Sequence, residues 1–209
     1  MKYREEGVVF ANVKETEITN DEGYIESHLI CPAFNMCGRH YLYDNQTGTI
    51  KFIDKLPYDF NGGALLSYNN EIHIIGGGAT VPVNSKSGFN HYKWAGGKWI
   101  GINDELPKTI KLENCTGFIY LDQMHIIGGS SYYMTHLIYD GSKWEEKEID
   151  LPLINGDMEL SSYFDDINYC FYIRAIDDDK MYVYKYDLDL HTFETVSLDN
   201  IDSKRHHNL

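Results

Sequence analysis

Glu71-Ile72-His73-Ile74-Ile75-Gly76-Gly77 returns 52 residues later as Gln123-Met124-His125-Ile126-Ile127-Gly128-Gly129. Each copy is a short β-branched run that ends on two glycines. Working outward, Ala64-Leu65-Leu66-Ser67-Tyr68 precedes the first copy, and Thr116-Gly117-Phe118-Ile119-Tyr120 precedes the second. Downstream of the first come His91-Tyr92-Lys93-Trp94, the tip Ala95-Gly96-Gly97-Lys98 and Trp99. Downstream of the second come His136-Leu137-Ile138-Tyr139, the tip Asp140-Gly141-Ser142-Lys143 and Trp144. Both units close on Leu-Pro, at Leu106-Pro107 and Leu151-Pro152, and Leu56-Pro57 stands before the first. A period of this size means a repeat architecture.

Weaker copies flank the pair. Ser27-His28-Leu29-Ile30-Cys31, His40-Tyr41-Leu42-Tyr43 and Thr49-Ile50-Lys51-Phe52 form an upstream unit. Ser161-Ser162-Tyr163-Phe164, Tyr169-Cys170-Phe171-Tyr172-Ile173, Tyr182-Val183-Tyr184-Lys185-Tyr186 and Phe193-Glu194-Thr195-Val196 form a downstream one. Both lack Gly-Gly. The units run approximately 1–57, 58–107, 108–152 and 153–199 within a single domain, with 200–209 as a tail.

Within a unit, four apolar and aromatic runs are separated by Gly, Asn, Asp and Ser. Asn69-Asn70, Gly96-Gly97 and Asp140-Gly141 read as tight hairpin turns. No stretch holds a helical period. The expectation is an all-β chain, a β-propeller of about four blades, each of four antiparallel strands. Gly-Gly is expected to end each second strand where a neighbour approaches closely. Trp99 and Trp144 are expected to fill the space between blades. Four blades is the lower limit for a ring, and closure within the chain is expected because an open arc would bare two apolar faces.

The repeat resembles the kelch repeat: an apolar strand ending in Gly-Gly, then Tyr or Trp in the next two strands. Leu56-Pro57-Tyr58-Asp59-Phe60, Tyr68-Asn69-Asn70-Glu71-Ile72-His73-Ile74-Ile75-Gly76-Gly77 and His91-Tyr92-Lys93-Trp94 are similar to kelch-type repeats in tail-associated proteins of phages of Gram-positive bacteria. The resemblance covers residues 56–152 best. It implies a virion protein, assembled in the host cytoplasm as part of a tail or tail-like particle. Its partners would be other tail proteins or a host-surface glycan, with oligomerisation possible inside that assembly. A cytoplasmic kelch scaffold for protein–protein interaction is the alternative, because the fold alone does not set function.

The chain has 209 residues, enough for one sizeable core, and a net charge of −14 with no basic stripe. That excludes a nucleic-acid backbone or an anionic membrane surface as partner. No apolar run is long enough for a membrane helix, and no signal-peptide core follows the start. Met1 and the polar end read as natural termini. Cys31, Cys37, Cys115 and Cys170 form no C-x-x-C and read as reduced, mostly buried thiols.

Short connections join first to second and third to fourth strands. The other two connections vary in length and share the opposite face: Pro32–Arg39, Gly78–Asn90, Ser130–Thr135 and Ala175–Lys180. Recognition sits on variable loops of a rigid scaffold. Phe34, Phe89, Tyr132 and Tyr133 are therefore the candidate binding residues, with Asp177-Asp178-Asp179 adding charge.

Catalytic and metal chemistry find little support. His28, His73 and His125 recur at one place, with Cys170 in the fourth unit, and His40, His91 and His136 form a second series. Equivalent strand positions in different blades do not converge within bonding distance of one metal ion. Kelch units commonly carry Tyr at the first of these places, which implies a packing site between blades. No nucleophile motif is present, and the matched acids Asp44, Asp140 and Asp187, like Glu71 with Gln123, read as turn or blade residues. Asp165-Asp166 lacks the spacing of a calcium loop. A non-enzymatic protein with no cofactor and no metal is expected.

Overall fold

Alternating burial along Ala64–Tyr68 shows how each repeat folds: Ala64, Leu66 and Tyr68 are buried, while Leu65 and Ser67 are half-buried. The computed structural model of the chain describes residues 4–5, 8–9, 14–31, 38–58, 60, 62–77, 91–102, 112, 114–130, 133–147, 159–165, 170–177 and 180–196. Among them there is no helix. Two short strands, β1 (Arg4–Glu5) and β2 (Val8–Val9), pair with each other.

The remaining strands make four antiparallel sheets of four, each a meander in chain order. The first holds β3 (Lys14–Thr19), β4 (Ile25–Cys31), β5 (Arg39–Tyr43) and β6 (Ile50–Lys55). The second holds β7 (Ala64–Tyr68), β8 (Glu71–Ile75), β9 (His91–Ala95) and β10 (Lys98–Gly101). β11 (Asn114–Tyr120), β12 (Gln123–Ser130), β13 (Tyr133–Tyr139) and β14 (Trp144–Lys147) form the third. β15 (Glu159–Asp165), β16 (Cys170–Asp177), β17 (Lys180–Asp187) and β18 (Thr192–Thr195) form the fourth. Each sheet falls inside one of the four sequence repeats.

The short turns follow their residue types. Asn69 and Asn70 have φ of +50° and +60°, and Gly96 and Gly97 have +57° and +77°. Two successive left-handed residues make the hairpin turn that matches strand twist. Asp44 Oδ1 accepts from the N–H groups of Gln46 and Thr47, at 2.8 and 3.2 Å. Asp140 Oδ1 does the same for Ser142 and Lys143, at 2.9 and 3.0 Å, and Asp187 Oδ1 for Asp189 and Leu190, at 2.9 and 2.8 Å. The matched aspartates are turn residues.

The core lies between sheets. Ile74 joins Ile30 of the first sheet with Leu56, Tyr58 and Phe60, whereas its neighbour Ile75 joins Leu112, Met124, Ile126, Leu137 and Trp144 toward the third. Successive residues of a strand point to opposite faces, so a strand buried on both faces reads as an unbroken apolar run. Tyr58 Oη donates to Gly76 O at 2.7 Å, Gly77 N to Leu112 O at 2.6 Å, and Cys115 N to Gly62 O at 2.8 Å. Asn70 clamps Thr19 of the first sheet through both its side-chain groups, at 2.5 and 2.6 Å.

The two Gly-Gly pairs differ. Gly76 and Gly77 leave the ladder with φ of +66° and +73°, and a Cβ on Gly76 would lie 2.7 Å from Leu112 Cβ. Gly128 and Gly129 stay within β12, opposite Thr135 and Met134. The expectation that Gly-Gly ends the second strand therefore fails in the third sheet. There only residues 131–132 separate β12 from β13, so the ladder has no reason to open early.

The alignment of Cys170 with the histidines is also corrected. Ser27, Ile72 and Met124 face Tyr43, Trp94 and Tyr139, and each is followed by His28, His73 or His125. In the fourth sheet Phe171 faces Tyr186, so Tyr172 holds the histidine's place and Cys170 lies opposite Asp187. The same register puts Val183 where the other sheets have His40, His91 and His136.

Candidate functional site

Of the four candidate binding residues, Phe34, Phe89 and Tyr132 lie outside the described residues. Tyr133 is the first residue of β13 and pairs with Ser130 rather than standing in a loop. The connection read as Ala175–Lys180 is likewise shorter, because Asp177 pairs with Lys180. Asp166, Asp178 and Asp179 lie outside the described residues.

The structure does bring the two histidine series together, pair by pair within each sheet. His28 Nδ1 meets His40 Nε2 at 2.7 Å, and His73 Nδ1 meets His91 Nε2 at 2.9 Å. His125 Nδ1 meets His136 Nε2 at 2.9 Å. All six rings are buried. The third-strand ring then packs on the aromatics of the next sheet. His40 stands 4.7 Å from Trp94 and 5.4 Å from Trp99. His91 is 5.4 Å from both Tyr139 and Trp144, and His136 is 5.3 Å from Tyr186. At this last joint Nδ1 of His136 also bonds Tyr186 Oη at 2.8 Å, and Tyr186 Oη bonds His191 Nδ1 at 3.0 Å. Trp99 and Trp144 fill the inter-sheet space as expected.

Burial keeps these imidazoles uncharged, since an ion loses its hydration there. Desolvation holds His40 and His136 down to about 3, and His73 and His125 down to about 4. It lowers His28 and His91 as well. The carboxylate of Glu26, 3.5 Å from His28 Nε2, pushes back on His28. Glu71 does so for His73 while pairing with Lys93 at 2.9 Å. Among the described residues no group of three or more His, Cys, Asp or Glu could hold a metal ion. Cys31 and Cys115 are free thiols, and burial raises them to about 12 and about 11, so neither is a ready nucleophile.

Sequence reasoning missed the cavity near the start of the first strands of three sheets. Lys14 and Glu15 of β3, Ala64 and Leu65 of β7, and Thr116 and Gly117 of β11 line about 280 Å³. Lys14 Nζ donates to Gly63 O and sits 5.4 Å from the Phe60 ring centroid. Desolvation lowers its pKa. Lys14-Glu15-Thr16-Glu17 reads as a polar edge, and only the closeness of glycines in the neighbouring strands marks the lysine as half-buried.

The short turns expose apolar side chains. Tyr24 and Ile25 are each 66% exposed and Leu121 is 74% exposed. Leu121 does so with a φ of +48°.

Fold and site together define an all-β repeat protein whose four-stranded antiparallel sheets are joined face to face by buried histidine–aromatic contacts. Neither the known protein-family models nor the curated proteins contain a match to this chain.

Proposed function

We propose that the four sheets are blades of one closed, kelch-type β-propeller that works by binding rather than catalysis, as a component of a phage tail or tail-like particle. Its partner is another tail protein or a glycan of the host cell surface. The observation that carries the propeller is the repeated joint: the same histidine position of each of the first three sheets meets the same aromatic position of the next. Closure is supported by the end faces. Leu29 and Tyr41, on the face of the first sheet turned away from the second, are 0% and 2% exposed. Val183, on the face of the fourth sheet turned away from the third, is 4% exposed. Two buried end faces fit a ring in which each covers the other. The placement in a virion rests on the resemblance of residues 56–152 to tail-associated kelch repeats.

The test is binding of labelled protein to intact Gram-positive cells, compared with cells stripped of surface polysaccharide. Binding that disappears on stripping is expected for a receptor-binding propeller. Co-purification with particles in fixed copy number but without cell binding assigns it to a tail-protein partner. Failure of both, with a soluble protein partner instead, replaces the virion reading with a cytoplasmic scaffold.

A further inference from the structure

We infer that the cavity at the start of β3, β7 and β11 is a binding site for a small oxyanion, a phosphate or carboxylate group, held by the ammonium of Lys14. The inference stands apart from the partner proposed above, because it concerns the first strands of three sheets and not the loops around them.

Three observations carry it. The first is space: about 280 Å³ remains where three strands meet. Gly63 and Gly117 keep the surroundings close without filling them; a Cβ on Gly63 would lie 2.3 Å from the Phe60 ring, and one on Gly117 2.7 Å from Ile126 Cδ1. At roughly 30 Å³ per water, the volume takes a phosphate or an acid-bearing group up to monosaccharide size.

The second is an ammonium without a matching anion. A buried charge is stable when paired and hydrogen-bonded. Lys14 gives one N–H to Gly63 O and faces the Phe60 ring, and among the described residues no carboxylate is ion-paired with it. An oxyanion in the cavity supplies that partner through the remaining N–H groups, which are all donors. Burial disfavours the charged amine, and a bound anion reverses that bias.

The third is the opposing charge. Glu15 and Thr116 line the same cavity. The Glu15 carboxylate works against any anion, while the Thr116 hydroxyl offers a donor. Lys14 and Glu15 thus make opposite predictions for one ligand, which separates a specific site from nonspecific salt binding.

The experiment uses the full chain and two probes, inorganic phosphate and glucuronate, each against sodium chloride at matched ionic strength. Binding is followed by thermal shift and by amide NMR shifts at Ala64, Leu65, Thr116 and Gly117. Expected is saturable binding of at least one probe, lost at least tenfold in Lys14→Met and strengthened several-fold in Glu15→Gln. Phosphate alone makes the site a phosphate site, and glucuronate alone makes it a carboxylate site. In the unaltered protein, affinity should fall from pH 7 to pH 10 as the amine loses its proton, an arm that survives if K14M does not fold. No saturable shift with either probe overturns the proposal. So does binding that ignores both the Lys14 substitution and the rise in pH.

Discussion

The imidazole of His40 stands edge-on to the indole of Trp94, with ring centroids 4.7 Å apart at 86°, and this contact fastens the first sheet to the second. His91 repeats it against Tyr139 at 89°, and His136 against Tyr186 at 86°. Each of these rings is held from behind by a second histidine of its own sheet. The repeat therefore encodes a three-part joint: a second-strand His orients a third-strand His, which packs on the neighbour's aromatic. Edge-to-face geometry adds to the area that such rings bury.

Breaking one joint should cost more than its surface area. Removing His91 opens a gap beside Tyr139 and Trp144 and takes the hydrogen-bond partner from His73. His91→Ala should destabilise the chain by about 2–4 kcal/mol, the sum of a core truncation and a lost buried hydrogen bond. His73→Ala should cost about the same. The double variant should cost less than the two together by at least ~1 kcal/mol, because one interaction is removed twice in that sum. Urea denaturation of the four proteins measures it, and strict additivity would show that the rings do not act as a pair.

The same joints make stability depend on pH. An unfolded imidazole titrates near 6.5, whereas His73 and His125 are held to about 4 and His40 and His136 to about 3. Between these values the unfolded chain binds protons that the folded chain refuses, so stability is complete above about pH 6.5 and falls as the pH drops. Each buried histidine contributes at most ~1.4 kcal/mol per pH unit inside that window. A first proton leaves one N–H···N bond in a pair intact, and a second sets two donors against each other. The urea midpoint should be flat from pH 8 to 7 and fall increasingly steeply from 6 toward 4. H73A/H91A should flatten the fall. A midpoint unchanged at pH 4.5 would contradict buried neutral pairs.

Strands and turns were legible because the repeat shows β-branched runs between Asn-Asn, Gly-Gly and Asp-Gly tips, whose residues accept the left-handed conformations of tight turns. The histidines were legible as two series but not as pairs. Pairing depends on the register between β8 and β9, where the third-strand ring lies diagonally from the second-strand ring. A usable signal was present: each third-strand His stands three residues before the Tyr or Trp that faces the residue preceding the second-strand His. Counting back from Tyr186 by that rule gives Val183 and would have set Cys170 aside. Lys14 was illegible because its burial comes from the approach of Gly63 and Phe60, 46 or more positions away in sequence.

Gly76 tests how close two sheets come. It combines a φ of +66° with a hypothetical Cβ 2.7–2.8 Å from Leu112 and Cys115. Gly97, with φ +77°, has nothing within 4 Å. Gly97→Ala should therefore cost only the backbone strain of a left-handed alanine, about 1 kcal/mol. Gly76→Ala adds displacement of Leu112 backbone and the Cys115 thiol, and should cost about 3 kcal/mol or more. Equal losses in thermal denaturation would mean that the second and third sheets yield easily at this point.

Leu121 runs against its own backbone. A leucine at φ +48° is strained, and here the side chain is also 74% exposed, so it gains no core contact in return. The matching turn of the second sheet has Asn69-Asn70, and asparagine tolerates this conformation through its short polar side chain. Leu121→Asn should stabilise the chain by about 0.5–1 kcal/mol, read as a raised urea midpoint with an unchanged slope. Backbone strain of this kind clusters at binding and switch regions. The variant should therefore be assayed for cell or particle binding alongside its stability. Higher stability with weaker binding places Leu121 in a contact surface on the short-turn end of the sheets. Higher stability with unchanged binding leaves recognition to the opposite end, where Lys14 and the variable connections lie.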